Sequence, residues 1–421
     1  MPKKRRGRRG IRLRLEITRR ISYRQRMNLQ RLTSSARSRA RLICLLTLAT
    51  IAGCQTAPGP QYCDNGIILL DKNFSGGGYA ECAVSDGGAF SVVVRPEDKP
   101  PINVSPWYAM RLSARSDATA TIRIDVVDGY ARYWPKISVD QRKWQRLDAS
   151  KVQFSEDGNS LLIEVPVSTQ GLYVSAQELV TEDWYTQWFD ELRAQPDMTV
   201  ALIGHSRLGR PLLAASLGDQ PEIIVLLGRQ HPPEITGALA MRHFVNTVLA
   251  ETELARAFRE RYQLLIVPFI NPDGVNRGHW RHNTGSTDLN RDWGPFTQPE
   301  TQSVRDLLAA KAKNGQEPAL MFDFHSTRRN LFYTQTPEEF PPGEDVVGDW
   351  IAAAAARLPW LDYTREASTP SEQANSKNYF YKTYGITAVT YELGDEEDRA
   401  RIEPASVVYA EEMMRRMLQR D

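Results

Sequence analysis

A chain of 421 residues has room for two ordinary domains, and 41% hydrophobic content is enough for packed cores, which excludes a wholly disordered or fibrous protein. The formal charge of +2 hides a segregation: residues 1–41 hold sixteen Lys or Arg and one acidic residue, Glu16, leaving 37 basic and 50 acidic residues beyond them, a net of −13. A body this acidic is a poor binder of phosphate backbones, which removes nucleic acid as a partner.

The basic stretch runs into Leu42–Ala52, an apolar run of eleven residues that is too short to span a bilayer as a helix. A basic region, a short apolar region and small residues at a cut are the parts of a secretory signal. The run ends Ile51-Ala52-Gly53-Cys54, which resembles the lipobox of bacterial lipoproteins, where the Cys becomes the lipidated first residue. Gln55 in place of Asp favours the outer membrane. Residues 1–54 are therefore expected to be a leader, with Met27 as an alternative start. The protein is expected to be exported to the cell envelope and lipid-anchored through Cys54, at the outer membrane or the periplasmic face. An uncleaved anchor or a mis-started leader is the other reading. Cys44 lies within the apolar run, so Cys63 and Cys82 belong to the folded part. In an oxidising compartment they can pair, and two free thiols remain equally open.

Residues 55–61, rich in Pro, Gly and Gln, read as a tether. From Tyr62 to Ser175 the chain shows short alternating runs such as Ser91-Val-Val-Val-Arg95, Trp107–Leu112 and Thr121–Val127, bounded by Gly, Pro and Asp. That pattern predicts a small all-β sandwich domain over 62–175. No residue set in it looks catalytic, and Gly76-Gly-Gly78 lacks the Lys-Ser/Thr of a phosphate loop.

From Ala176 onward apolar runs alternate with amphipathic stretches, which predicts an α/β domain. Glu222–Gly228, Leu264–Ile270, Leu320–Phe324 and Ile386–Tyr391 are apolar enough to be central strands buried on both faces. Each leads to a polar residue or Gly turn, where ligands of open α/β sheets bind.

His231-Pro-Pro-Glu234 follows the first of these runs and brings two good zinc ligands to one side of a turn. Alone, it reads equally as a solvated turn opening a helix. His325 closes Met321-Phe-Asp-Phe-His325-Ser-Thr and alone reads as a satisfied edge histidine. Together the three make a two-His, one-Glu set that leaves zinc's fourth position open for water. Between them run Asn271-Pro-Asp-Gly274, Trp280-Arg281 and Asp288-Leu-Asn290-Arg291, with guanidinium groups suited to carboxylates.

This order of motifs, ending in Glu392 of Thr390-Tyr-Glu392-Leu, resembles the zinc metallocarboxypeptidases of the carboxypeptidase A type. The Trp280–Arg291 segment is most similar to the cytosolic carboxypeptidase subfamily, which also places a β-sandwich before its catalytic domain. The resemblance spans roughly residues 65–415. It implies a zinc carboxypeptidase domain over 176–421, α/β with a mixed central sheet and helices on both faces. It implies one Zn2+ per chain on His231, Glu234 and His325, Arg281 as oxyanion stabiliser, and Asn290 and Arg291 on the substrate's terminal carboxylate. Glu392 would be the general base. Lys377 falls near the floor of the family's specificity pocket, which points to acidic C-terminal residues; an exposed Lys is the plain alternative. The family's mobile Tyr has no counterpart near Thr369-Pro-Ser371, and none of Tyr379, Tyr381 and Tyr384 is assigned to its role. His205 and His243 read as turn and helix residues, and His279 and His282 as flanking residues that line the cleft.

The expected partner is a peptide substrate, or a peptidoglycan-derived one, with the membrane reached through lipidated Cys54 alone. Two alternatives stay open: a murein peptide amidase or amino-acid deacylase on the same fold, and an inactive envelope lipoprotein with a binding role.

Overall fold

The structure, a computed structural model, describes residues 61–339, 346–368 and 372–420. The expected leader, Cys44, Cys54 and most of the tether lie outside the described residues. Among the described residues, no helix is long and apolar enough to cross a membrane.

Among the described residues, eleven short strands come first: β1 (Tyr62–Asp64), β2 (Ile68–Asp71), β3 (Glu81–Val84), β4 (Phe90–Val94), β5 (Ala109–Ala114) and β6 (Ala118–Val126). β7 (Lys136–Ser138), β8 (Gln145–Arg146), β9 (Val152–Phe154), β10 (Ser160–Val167) and β11 (Leu172–Ser175) follow. They form two sheets, ordered β1-β2-β5-β11-β7-β8 and β3-β4-β6-β10-β9. Neighbours are antiparallel except β4 and β6. The period of two decides which face is inside: Ile122 pairs with Ile163 and Ile124 with Leu161, all buried, while Leu162 and Glu164 point outward. The Cys63–Cys82 disulfide joins β1 of one sheet to β3 of the other.

The second half opens with α1 (Glu182–Arg193), β12 (Met198–His205), β13 (Pro211–Leu217) and β14 (Glu222–Gly228). Then come α2 (Ile235–Val248), α3 (Glu253–Arg261), β15 (Gln263–Val267), α4 (Pro272–Arg277) and α5 (Pro299–Ala312). The chain ends with β16 (Glu317–Thr327), β17 (Leu331–Thr334), α6 (Val346–Arg357), β18 (Thr364–Ala367), α7 (Ser376–Tyr384), β19 (Thr387–Gly394) and α8 (Arg399–Leu418). The eight strands form one mixed sheet, β12-β13-β15-β14-β16-β19-β17-β18, whose central four are parallel. Both faces are covered. Ile224, Leu226 and Phe322 pack with α2 and α8, whereas Ile223, Val225 and Met321 pack with α5 and α7.

From β14 the chain adds β15 on one side and then crosses to β16 on the other, so the strand order reverses between β14 and β16. Ligands of such sheets bind at the carboxyl ends beside that reversal. Two of the apolar runs extend further than expected. β16 continues to Thr327 and β19 to Gly394, so His325 and Glu392 lie inside strands rather than just past them.

Candidate metal centre and its cavity

At the carboxyl end of β14 the chain turns sharply through Arg229, which takes a positive φ of 54°. Its buried Nε donates to the carbonyl of Pro232, closing a loop around His231 (3.0 Å). Glu234 occupies the N-cap position of α2 but makes no cap hydrogen bond. Its carboxylate turns instead toward two imidazoles. Oε1 lies 2.8 Å from Nδ1 of His231 and Oε2 lies 2.7 Å from Nδ1 of His325. A backbone detail permits this closeness: a Cβ on Gly237 of α2 would overlap the His325 carbonyl.

The outer nitrogens are held by carboxylates. Nε2 of His231 lies 2.9 Å from Asp288 Oδ1, and Nε2 of His325 lies 3.0 Å from Asp323 Oδ2. Both rings thus keep Nδ1 directed at Glu234, the arrangement in which a carboxylate orients a ligating histidine. Burial opposes a charge on His325, yet Asp323 and Glu234 outweigh it and hold its pKa well above the ordinary value. The site's own carboxylates therefore call for positive charge between them.

Glu392 is the register partner of His325 across the β16–β19 ladder. Its Oε2 is buried without a hydrogen-bond partner. Burial first, and Glu234 next, push its pKa up to about 7 against the pull of the two histidines and Arg281. Two imidazoles and a carboxylate with donor atoms within 4.8 Å of one another, beside an orphaned carboxylate oxygen, fit a zinc ion with an open position.

The intervening motifs assemble around this set. Asn271 caps α4 by accepting from the N–H of Gly274, and its amide donates to the carbonyl of Gln230 beside His231 (3.0 Å). α4 ends at Gly278, which is left-handed (φ 65°), and the next turn is gripped from the sandwich: Glu97 accepts the N–H groups of Trp280, Arg281 and His282 at 2.6–2.9 Å. Asp288 accepts from Arg281 Nε (2.7 Å) and from the N–H of Asn290 (2.9 Å). Asn290 Oδ1 accepts from the N–H of Ser376 at the start of α7 (2.9 Å).

A cavity of about 390 Å³ opens over the centre. His231, Glu234, Arg281, Asn290, Arg291, Lys377 and Glu392 line it, and His325 lies behind Glu234. Lys377 is buried rather than exposed; its Nζ donates to the carbonyl of Thr334 (3.2 Å), and burial pushes its pKa down against the pull of Glu339.

Other expectations are corrected. His279 and His282 do not line the cavity: His282 Nδ1 lies 2.7 Å from Asp98, and His279 Nδ1 lies 3.0 Å from the His282 carbonyl. Glu97, Asp98 and His282 cluster closely, but Glu97 is occupied by three backbone donors. The segment Thr369–Ser371 lies outside the described residues. Tyr379 and Tyr384 pack in the aromatic cluster around Trp293 and Phe380, and Tyr381 donates to the Glu339 carbonyl. Among the described residues, Tyr333 is the tyrosine that lines the cavity. The sandwich half is not chemically remote, because Asn103, Ser105 and Arg132 line the same cavity. Asp288 was detectable in principle, since it sits inside the Asp-Leu-Asn-Arg motif; Asp323, two residues before His325 on the same strand face, carries no such signal within its apolar run.

The Peptidase_M14 profile, described as zinc carboxypeptidase, matches residues 185–414. Human cytosolic carboxypeptidase 4 is 32% identical over 113 residues, 26% of this chain and 10% of that protein. Mouse cytosolic carboxypeptidase 6 is 31% identical over 122 residues, 27% and 22% of the respective chains. The chain thus spans less than a quarter of the length of these curated relatives. Among solved structures, a metallo-carboxypeptidase from Burkholderia cenocepacia superposes with a TM-score of 0.69 at 20% identity, covering 83% of this chain and 98% of that one. One from Pseudomonas aeruginosa gives 0.65 at 18% identity, covering 82% and 98%. At such identities the superpositions speak to the fold.

Proposed function

The chain belongs to the zinc carboxypeptidase family, and from that premise we propose that it removes the C-terminal residue of peptides with zinc held on His231, Glu234 and His325. The observation that carries the reading is the pairing of Glu392 with His325 on adjacent parallel strands, with Glu392 Oε2 buried and unpartnered beside the imidazoles. A zinc ion there supplies Lewis acidity toward a carbonyl and lowers the pKa of a water. Glu392 takes the proton of the attacking water and returns it to the leaving amine. Arg281, oriented by Asp288, meets the negative charge that builds on the carbonyl oxygen. Asn290 and Arg291 hold the terminal carboxylate, so an internal peptide bond leaves them unmatched.

The reading extends to C-terminal Glu or Asp, supported by the buried Lys377 ammonium in the cavity wall. A γ-linked peptide from the cell wall presents a comparable set of carboxylates and belongs in the same assay. Action in the cell envelope is part of the proposal; the Cys63–Cys82 disulfide supports it, since disulfides persist in oxidising compartments.

The test combines metal analysis with hydrolysis of peptides ending in Glu, Lys or Leu. One zinc per chain and fastest release of Glu are expected, with Glu392→Gln lowering kcat by about 10²–10⁴-fold. Stoichiometric zinc with no peptide cleaved, and no effect of Glu392→Gln, would instead establish an inert binding protein.

A further inference from the structure

The cavity has a direction, set by β19. Thr390 lines it at the level of Tyr333, its register partner, whose chain neighbour Thr334 receives the Lys377 ammonium. Glu392 lies two residues on. Asp395, just past the strand, is paired with Arg132 of the sandwich half. At about 3.3 Å per strand residue, Asp395 lies roughly 10 Å beyond Glu392. An extended peptide crosses that distance in about three residues. With its terminal side chain toward Lys377 and its scissile bond at Glu392, a substrate leaves the cavity past the sandwich.

The sandwich wall at this exit is built. Arg132 places Nε and Nη2 on Asp395 Oδ2 (2.9 and 2.7 Å) and Nη1 on Val104 O and Ser105 Oγ (both 2.9 Å). These bonds fix residues 103–105 against the mouth. Asn103 is exposed there, and among the described residues its amide has no hydrogen-bond partner. An unpaired carboxamide offers one acceptor and two donors, the complement of a peptide group.

We propose that Asn103 and Ser105, held in place by Arg132, form an upstream subsite that hydrogen-bonds the main chain of the substrate two to three residues before the scissile bond. The substrate class is then a peptide of at least four residues in extended form. Asp395 neutralises Arg132, so the subsite selects main chain rather than acidic side chains. The inference rests on the carboxypeptidase reading.

The test uses the full zinc-loaded protein with N-blocked di- and tetrapeptides sharing one C-terminal residue, with kcat and KM measured separately. The tetrapeptide is expected to exceed the dipeptide in kcat/KM by about tenfold, mainly through KM. Asn103→Ala should cut that ratio by about threefold, and Asn103→Gln should restore part of it. A structural role alone lowers both peptides together and leaves the ratio where it was. A wild-type ratio near one, or an unchanged ratio in Asn103→Ala, overturns the subsite while the carboxypeptidase reading stands. Hydrolysis of neither peptide overturns both.

Discussion

At the scale of single residues, the site depends on carboxylates that never reach the substrate. Asp323 binds the outer nitrogen of His325, accepts from Gln230 Nε2 (2.6 Å) beside His231, and accepts from Ser376 Oγ beside Lys377. Asp323→Asn should weaken zinc binding by about 10–100-fold, measured by chelator competition, because the ring loses its orienting acceptor. Lys377 gives a second prediction. Lys377→Met should abolish any preference for Glu over Leu, read as a kcat/KM ratio, and leave a merely apolar wall. In the wild type the lowered pKa means the ammonium is lost as pH rises through a value below the ordinary lysine range, so the Glu preference should fade on the alkaline side earlier than an exposed lysine would allow. His231, Glu234 and the Asn290-Arg291 pair are legible in the sequence through the order in which their motifs follow one another, since each motif alone is a weak signal. Asp323 is not, since one acid inside an apolar run gives no sign of whether it faces a helix or an imidazole.

At the scale of elements, strand phase and close approach do the positioning. The alternation that sends Ile223 and Val225 to one face of β14 and Ile224 and Leu226 to the other is visible in the sequence as an unbroken apolar run, so the sheet can be read there. The ends of β16 and β19 cannot, because a His or Glu within a strand looks the same as one in the following loop. α2 sits so near β16 that Gly237 has no room for a Cβ against the His325 carbonyl. Gly237→Ala should push α2 outward, costing about 1–3 kcal/mol in chemical denaturation and weakening zinc binding, since Glu234 heads the same helix. Wild-type stability and metal affinity in that variant would refute the packing argument.

At the scale of the whole molecule, the described residues form one compact unit despite their two kinds of architecture. The turn after β19 is held by the sandwich: Asp395 by Arg132, and Glu396 by Lys136 Nζ (3.2 Å) and the Trp134 N–H (3.1 Å). These partners stand about 260 residues apart in the chain, and no local pattern announces such pairing, which is why a sandwich legible as a fold is not legible as a wall of the site. Arg132→Gln leaves a buried carboxylate without its cation and should cost about 3–5 kcal/mol in denaturant unfolding. Burial already raises the Asp395 pKa to about 6 against the pull of Arg132, and removing Arg132 raises it further. A folded-state pKa above the unfolded one favours the folded protein only while the acid stays protonated, so stability is lost as pH rises from about 4 through the folded value. The variant's deficit should therefore be larger at pH 8 than at pH 5, and an equal deficit at both would remove Asp395 as its cause. The register that sets His325 opposite Glu392 also constrains how such a chain can change in length. Inserting one residue in β19 ahead of Glu392 would turn the carboxylate to the opposite face of the sheet, among Tyr391, Leu393 and the residues of α2 and α8, whereas one added at the exposed Asn314-Gly315 turn shifts every later number and no later side chain. Descendants of this sequence are thus free to lengthen between strands but must keep parity within them.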